Sequence, residues 1–492
     1  MSLPLDLLMF AALAALIVIG APIVFVLSGT AVAFALLGLA FGHFDTALLG
    51  AIVQRVFSVM VSETLVAIPL FLFMGMMLER SKIAEELLEA MGRLFGTVRG
   101  GLAVSVSLVG ALLAASTGIV GATTVTMGMM ALPAMLRRGY SPALACGSVC
   151  AAGTLGQIIP PSTVMVVMGE VLSSAYQQAQ FAQGKFSVET VSVGQLFAGS
   201  LLPGLLLVVM YIVYQLTLAW WRPASAPAIP RDDDDGHRVT GAELLRALVP
   251  PLVLIGSVLG SILGGIATPT EAASIGALGA LLLASLRVTP EHARTVAFSV
   301  ACMVVLLTLA AIFDLRPGRQ APGTADRIAL GVALAVSVAL VVSLVIGASL
   351  FSLVFRGLGG EVRIESLLEA VPGGTTGALV AVVLAIFILG MWLDYVEISI
   401  IVIPIVGPVL MRGGVDPVWF GVIVAMTMQT SFLTPPVGYT LSYLRSVAPP
   451  SLPTKTIWIG AVPFIVLQLV AVAVLAVFPG LATWLPSVLF SN

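Results

Sequence analysis

The sequence predicts an all-α, polytopic membrane protein built on an internal repeat, and three observations carry that reading. Apolar runs of about 20 residues, each long enough to cross a bilayer as a helix, recur along the whole chain. Only 9% of its 492 residues are charged and 59% are hydrophobic, with mean hydropathy +1.12, whereas soluble domains carry about 25% charge. Two of the apolar runs are also interrupted alike, by Pro160-Pro161 in "QIIPPS" and by Pro435-Pro436 in "FLTPPVG". A transmembrane β-barrel would instead show segments of about 10 residues alternating with period two.

The N-terminus, MSLPLDLLMFAALAALIVIGAPIVFVLSG, has no basic leader, and its apolar run continues to about residue 41. Two retained helices, 4–22 and 23–42, are expected rather than a cleaved signal. Further spans are expected at 57–79, 100–114, 143–169, 196–221, 247–264, 269–286, 296–314, 328–355, 376–391, 418–447 and 457–485. Segments 115–136 and 392–411 are apolar but rich in Gly, Thr and Pro, and they read as re-entrant hairpins. Non-helical backbone is tolerated at membrane depth where protein or a water-filled cavity surrounds it.

Residues 79–99 set charges against Ile83, Leu87, Leu88 and Leu94, the pattern of a helix lying along the interface. Residues 222–246 form the one long hydrophilic loop, and its four arginines place it in the cytoplasm, as do Arg287 and Arg294 for the next loop. Asp232 to Asp235 lack the EF-hand spacing and read as solvated loop. Thr268-Pro269-Thr270-Glu271 reads as a helix start, with a capping threonine, proline in the first turn and Glu271 at the third position.

Several function classes drop out. Net charge is -2, so no basic face awaits nucleic acid. Cys146, Cys150 and Cys302 sit in apolar stretches with no histidine beside them, reading as small packing residues rather than metal ligands or a disulfide framework. No H-E-x-x-H or Walker A sequence occurs, and His43, His237 and His292 are scattered. Neither an intramembrane enzyme nor an ATPase is indicated.

The offset between the double prolines is 275 (435 − 160), and the same frame places Pro142 on Pro417, Gly139 on Gly414, Arg137 on Arg412 and Pro133 on Pro408. "LLEA" at 87–90 recurs at 367–370, an offset of 280. Paired, Gly/Pro-broken apolar segments in two halves are the sequence sign of a secondary transporter. With a hairpin making no net crossing, six expected spans separate 143–169 from 418–447, so the copies would run in opposite directions.

A proline removes a backbone donor and clashes with the preceding turn. Two in series leave carbonyls unpartnered in a medium that cannot satisfy them, and Na⁺ suits carbonyl and hydroxyl oxygens. Hydroxyls gather at both breaks, with Ser116, Thr117, Thr154, Ser162 and Thr163 in one copy and Thr427, Thr430, Ser431, Thr434 and Thr440 in the other. They have two readings: ligands of an ion, or bonds to their own helix backbone. Asp394 and Glu397 lie in the apolar stretch "ILGMWLDYVEISIIVIP". A carboxylate at that depth is a functional residue by default; Asp394 would meet a cation, a proton or substrate hydroxyls, or form a structural pair. Arg356 in "LVFRGLGG" would either attract an anionic substrate or snorkel at a helix end.

"AASTGIVGATTVTMGMMALPAMLRRGYSPALACGSVCAAGTLGQIIPPS", "GGIATPTEAASIGALGALLL", "SLVFRGLGG" and "DPVWFGVIVAMTMQTSFLTPPVG" together resemble the large membrane subunit, DctM type, of TRAP (tripartite ATP-independent periplasmic) transporters. The resemblance covers nearly the whole chain. It implies an inverted-repeat, elevator-type ion-transporter fold with two re-entrant hairpins and two Pro-Pro-broken helices. It implies uptake of organic acids (mono- or dicarboxylates, 2-oxo acids) across the bacterial inner membrane, coupled to Na⁺, with no other cofactor. The implied partners are a small DctQ-type membrane subunit and a periplasmic substrate-binding protein.

Carried over by motif, one Na⁺ site would involve Ser116, Thr117, Gly118, Gly153, Thr154, Pro160, Pro161 and Ser162, and a second Thr430, Ser431, Thr434, Pro435, Pro436 and Gly438, with Asp394 beside it. Asp394 and Arg356 are the substrate-binding candidates. The implied division is 1–99 scaffold helices and amphipathic arm, 100–195 first transport repeat, 196–375 scaffold with an added helical insertion at about 298–340, 376–447 second transport repeat, and 448–492 C-terminal scaffold helix. A stand-alone Na⁺- or proton-coupled anion carrier is the alternative.

Overall fold

The structure, a computed structural model, describes residues 4–19, 21–45, 50, 57, 62–81, 83–228, 241–288, 343 and 346–490. Among the described residues the chain is helical and contains no strand. The expected span 296–314, most of 328–355, the insertion at 298–340 and Asp232 to Asp235 lie outside them.

Helices α1 (Leu5–Val18) and α2 (Ile23–Ala40) form the N-terminal pair, followed by α3 (Glu63–Arg80) and α4 (Ile83–Phe95). The amphipathic pattern of α4 is realised: Ile83, Leu87, Leu88 and Met91 are buried while Glu85, Glu86 and Glu89 are exposed. Leu94, in the last turn, is exposed rather than on the buried face, which costs little where lipid tails are as apolar as leucine.

The first repeat unit is α5 (Gly101–Thr117), α6 (Val120–Arg137), α7 (Pro142–Thr154), a 3-10 turn at Leu155–Gln157, and α8 (Thr163–Ala182). Helices α9 (Val193–Trp221), α10 (Gly241–Leu263), α11 (Pro269–Val288), α12 (Ile346–Gly357) and α13 (Gly360–Glu369) follow. The second unit is α14 (Gly374–Leu389), α15 (Tyr395–Ile401), α16 (Ile403–Arg412), α17 (Pro417–Leu433) and α18 (Tyr439–Val447). The chain ends in α19 (Thr454–Val477) and α20 (Gly480–Phe490). Among the described residues, α2, α9 and α19 are unbroken helices long and apolar enough to cross a membrane. The expected helix start at Thr268 is present, with Thr268 N–H donating to Glu271 Oε2 at 2.9 Å and Glu271 N–H donating to Thr268 Oγ1 at 3.3 Å.

The helix boundaries obey the repeat more closely than the residues do. The 275-residue offset also separates Val120 from Tyr395, Arg137 from Arg412 and Pro142 from Pro417, so the second hairpin arms begin and end in register and the broken helices begin in register. The matched residues hold matched backbone roles. Gly139 and Gly414 take φ of 76° and 88° just past a helix end, where only glycine is comfortable. Pro142 and Pro417 open their helices, at the position where a missing N–H costs nothing.

Two expected boundaries shift. The expected segment 100–114 continues as α5 to Thr117, and the chain then turns at Gly118 (φ 61°) so that α5 packs against α6. Likewise α14, expected as the plain span 376–391, leads into the turn at Gly390–Asp394 and touches α16. The Gly-, Thr- and Pro-rich stretch that prompted each hairpin reading holds the turn of a longer helix pair.

The core is made of α7 and α17. Every residue from Leu144 to Thr154 is buried, as is every residue from Phe420 to Leu433. A helix apolar on all sides belongs in the interior, and the sequence permits the approach: a Cβ on Gly147 would fall 2.0 Å from the Gly460 carbonyl oxygen, and one on Gly460 would fall 2.0 Å from that of Ala143. Glycines let α7 and α19 touch backbone to backbone. Thus α19, expected as scaffold, packs chiefly on α7 and α17.

Candidate functional site: two broken helices and their hairpin turns

Each double proline strips the helix of two donors, so the carbonyls four residues earlier lose their partners. In the first copy these are Gly156 and Gln157; in the second they are Ser431, which accepts from Thr434 N–H at 2.9 Å instead, and Phe432. The freed carbonyl of Gln157 accepts from Ser162 Oγ at 3.0 Å. Its counterpart on Phe432 accepts from Thr440 Oγ1 at 2.7 Å. The repeat thus answers one backbone deficit with a hydroxyl in each copy. Both Pro160-Pro161 and Pro435-Pro436 are cis.

The hairpin turns sit against the breaks. In the first copy Thr163 Oγ1 donates to the Gly118 carbonyl at 3.2 Å, and a Cβ on Gly118 would lie 3.0 Å from Thr163 N. Gly153 is held even closer, since a Cβ there would lie 2.1 Å from Thr124 Oγ1. In the second copy Ser431 Oγ donates to the Phe387 carbonyl at 2.6 Å, and Gly390 packs against Ser431. Tyr439 OH reaches the Trp392 carbonyl at 3.3 Å. Gly438, at φ 45°, starts α18. So Gly118, Gly153, Thr154 and Pro160 to Ser162 gather at one break, and Thr430, Ser431, Thr434, Pro435, Pro436 and Gly438 at the other. Ser116 and Thr117 close α5 immediately before the first turn.

Most of these hydroxyls have local partners. Thr430 Oγ1 donates to the Met426 carbonyl and Thr434 Oγ1 to the Thr430 carbonyl, both at 2.8 Å. Thr154 Oγ1 donates to the Ala151 carbonyl at 2.8 Å. These are the helix-backbone bonds of the bland reading. One of the break hydroxyls, Thr427 Oγ1, is buried with no hydrogen-bond partner, as are Thr124 Oγ1, Ser399 Oγ, and Oε1 of Gln157, Gln429 and Gln468. Native interiors leave few such groups. Thr124 and Ser399 are repeat counterparts, 275 residues apart, each just past its hairpin turn. The sequence reading passed over both. Burial without a partner is the signal that finds them, and the repeat offset then pairs them.

The two copies meet at one bond. Gln429 Nε2 donates to Thr154 Oγ1 at 3.0 Å, and these residues are themselves 275 apart. Equivalent positions touch only where the relation between the copies brings a point near its own image, as at a two-fold axis. Gln468 Nε2 of α19 joins them, 3.2 Å from Thr154 Oγ1 and 2.6 Å from Tyr211 OH of α9. Nearby, Gln215 Nε2 of α9 reaches Ser107 Oγ at 2.8 Å and Ser148 Oγ at 3.1 Å. A buried polar seam therefore ties α9 and α19 to both repeats.

The two ionisable candidates separate. Asp394 caps α15 in a capping box, with its N–H donating to Glu397 Oε2 at 3.0 Å. It stands at the second hairpin turn, as expected. Arg356, at the end of α12, is engaged otherwise: it donates to Gln178 Oε1 of α8 and, at 3.3 Å, to the Pro404 carbonyl, and lies 3.4 Å from Glu361. The Pro404 carbonyl is free because its helical donor position is Pro408, one of the repeat prolines. These partners tie Arg356 to the arm of the second hairpin, not to the turn where Asp394 stands. In the first copy, Thr126 of α6 donates to Glu79 at the end of α3. Arg363–Asp6 and Arg412–Glu365 (2.7 Å) complete the ion pairs that tie α13 to α1 and α16. No group of three or more metal-ligating side chains occurs among the described residues.

Residues 10–481 match the family described as "Tripartite ATP-independent periplasmic transporter, DctM component". The C4-dicarboxylate TRAP transporter large permease DctM of Vibrio cholerae is 28% identical over 98% of this chain and 97% of its own length. The ectoine large permease TeaC of Halomonas elongata is 26% identical over 89% and 90%, and the 2,3-diketo-L-gulonate large permease YiaN of Escherichia coli 24% over 79% and 78%. Among solved structures, the YdaH transporter of Alcanivorax borkumensis superposes with TM-score 0.56 at 16% identity, covering 88% of each chain. MtrF of Neisseria gonorrhoeae gives 0.54 at 13%, covering 88% of this chain and 83% of its own. These likenesses speak to the fold alone. With a family match that spans nearly the whole chain, and helices of the expected length and apolarity, this multi-pass membrane protein belongs to the DctM component family of the tripartite ATP-independent periplasmic transporters.

Proposed function

We propose that this chain is the moving, substrate-translocating subunit of a Na⁺-coupled importer of organic acids in the bacterial inner membrane. It acts with a small DctQ-type membrane subunit and a periplasmic substrate-binding protein, and its two units α5–α8 and α14–α18 travel as one body in an elevator motion. The observation that carries the reading is the pair of equivalent breaks, each closed by a hairpin turn and joined through the Thr154–Gln429 bond. Paired broken helices at a repeat interface are where secondary carriers hold substrate and coupling ion. The same bond between repeat counterparts supports a two-fold relation between the units, and we take that relation as inverted, with re-entrant hairpins.

Freed carbonyls at each break offer oxygens to Na⁺, and half-helix N-termini at α8 and α18 favour an anionic group between them. Because most side-chain hydroxyls already serve the backbone, Na⁺ would be held mainly by carbonyls, with Asp394 adding charge at the second break. The relatives' names speak of C4-dicarboxylates, ectoine and a diketo sugar acid, which places organic acids first. Nothing among the described residues favours the stand-alone carrier. Reconstitution decides: purified chain and small subunit in proteoliposomes take up radiolabelled organic acid only with both binding protein and an inward Na⁺ gradient. Uptake without the binding protein, or on a proton gradient alone, would overturn the partner and coupling parts.

A further inference from the structure

One carboxylate of the first repeat is used by neither the breaks nor the hairpins. Glu170 stands on α8, seven residues beyond Thr163, hence about 10 Å from the helix break at a rise of about 1.5 Å per residue. Glu170 is exposed and makes no hydrogen bond or ion pair with any described residue. It opens onto a cavity of about 360 Å³.

The cavity has a chemical character. Thr64 of α3, Ser173 of α8, Thr190 and Ser192 line it beside Glu170, while Phe490 at the end of α20 and the α10–α11 turn supply apolar wall. Phe490 is seated by design of the sequence: a Cβ on Gly194 would lie 3.0 Å from its ring. All the polar side chains can accept hydrogen bonds, only one is charged, and its charge is negative. The volume lies within the range of about 300 Å³ upward that holds small molecules, far more than a bare metal ion fills. No box of aromatic faces surrounds the carboxylate, which is what a quaternary ammonium would require.

We propose that this cavity binds an organic primary ammonium group, its three N–H donors directed to Glu170 and the neighbouring hydroxyls and its carbon chain laid on Phe490. Two sources offer that chemistry: the headgroup of an ethanolamine lipid entering from the bilayer, or a free amine. The site lies between α8, part of the first repeat, and the ends of α3, α10 and α11, so its occupant bridges a repeat to its surroundings.

The test uses the full chain in nanodiscs of phosphatidylglycerol containing either phosphatidylethanolamine or phosphatidylcholine, with retained lipid counted by native mass spectrometry. Ethanolamine alone is titrated in parallel by thermal unfolding. The native chain is expected to retain phosphatidylethanolamine over phosphatidylcholine, and Glu170→Gln to lose that retention about tenfold, the scale of a charge-assisted hydrogen bond. A shift with free ethanolamine that Glu170→Gln abolishes, without lipid retention, supports the site and assigns the free amine as its ligand. Should Glu170→Gln fail to fold, Glu170→Asp and Thr190→Val, which keep the volume nearly unchanged, carry the same comparison. Equal retention of both lipids together with no shift by free ethanolamine, or equal binding by native and variant chains, overturns the proposal.

Discussion

Thr154 is the residue on which the two repeats converge, and replacing it with valine isolates what it contributes. Valine has nearly the same shape but neither accepts nor donates. Thr154 Oγ1 is fully buried and accepts from Gln429 Nε2 at 3.0 Å and Gln468 Nε2 at 3.2 Å. Gln468 keeps a second partner in Tyr211 OH at 2.6 Å, but Gln429 Oε1 is already unpartnered, so the whole Gln429 amide is orphaned. A buried donor left unsatisfied costs about 1–3 kcal/mol, and weakening of the Gln468 bond brings the expected loss to about 2–4 kcal/mol. Thr154→Ser should lose little of this. The assay is thermal unfolding in detergent, followed by intrinsic fluorescence, with Gln429→Met completing a double-mutant cycle. Because Gln429→Met removes the orphan, the double variant should recover much of the loss and the two effects should fail to add. A Thr154→Val chain as stable as the native one, or strictly additive effects, would refute the view that this bond joins the repeats. Thr154 is also a candidate Na⁺ ligand, and the same variant separates the roles: an unchanged Na⁺ requirement for uptake alongside lost stability assigns it to structure.

Further predictions follow from the same geometry. Gly460→Ala puts a methyl 2.0 Å from the Ala143 carbonyl, so α19 cannot stay seated on α7, and fluorescence-detected size-exclusion chromatography should show loss of the monodisperse peak. Ser162→Ala and Thr440→Ala each orphan a freed carbonyl and should each cost about 1–3 kcal/mol by thermal unfolding, with Thr440→Ser restoring most of its share. Asp394→Asn keeps a good capping residue for α15, so unfolding should shift by about 0.5 kcal/mol or less; uptake should nevertheless be abolished, because the charge that meets a cation is gone, and normal uptake by that variant would remove Asp394 from the site.

Particular residues show why some of this was legible in the sequence. Prolines and positive-φ glycines state their backbone role outright, so Pro142, Pro417, Gly139 and Gly414 gave the repeat frame directly. The apolar length of α2, α9 and α19 gave the membrane class. Hairpin limits were less legible, because α5 and α14 have the hydropathy of plain spans and only the turn at Gly118 or Gly390 shows that the chain doubles back. Arg356 could not be placed from its neighbours in sequence: its partners Gln178 and Pro404 are 178 and 48 residues away. Thr124, Ser399 and Glu170 were missed for another reason. A single hydroxyl or carboxylate in an apolar run carries no period, and only burial without a partner, or a cavity in front of it, singles it out.

The central claim is that two equivalent breaks each hold a coupling Na⁺. Its most direct test is the coupling ratio, measured in proteoliposomes holding the chain with its small subunit and binding protein. Substrate and Na⁺ gradients are opposed until radiolabelled organic acid shows no net movement. The account predicts a balance point requiring at least one Na⁺ per break for each substrate. A balance point at a single Na⁺ per substrate, or one indifferent to the Na⁺ gradient, would contradict it.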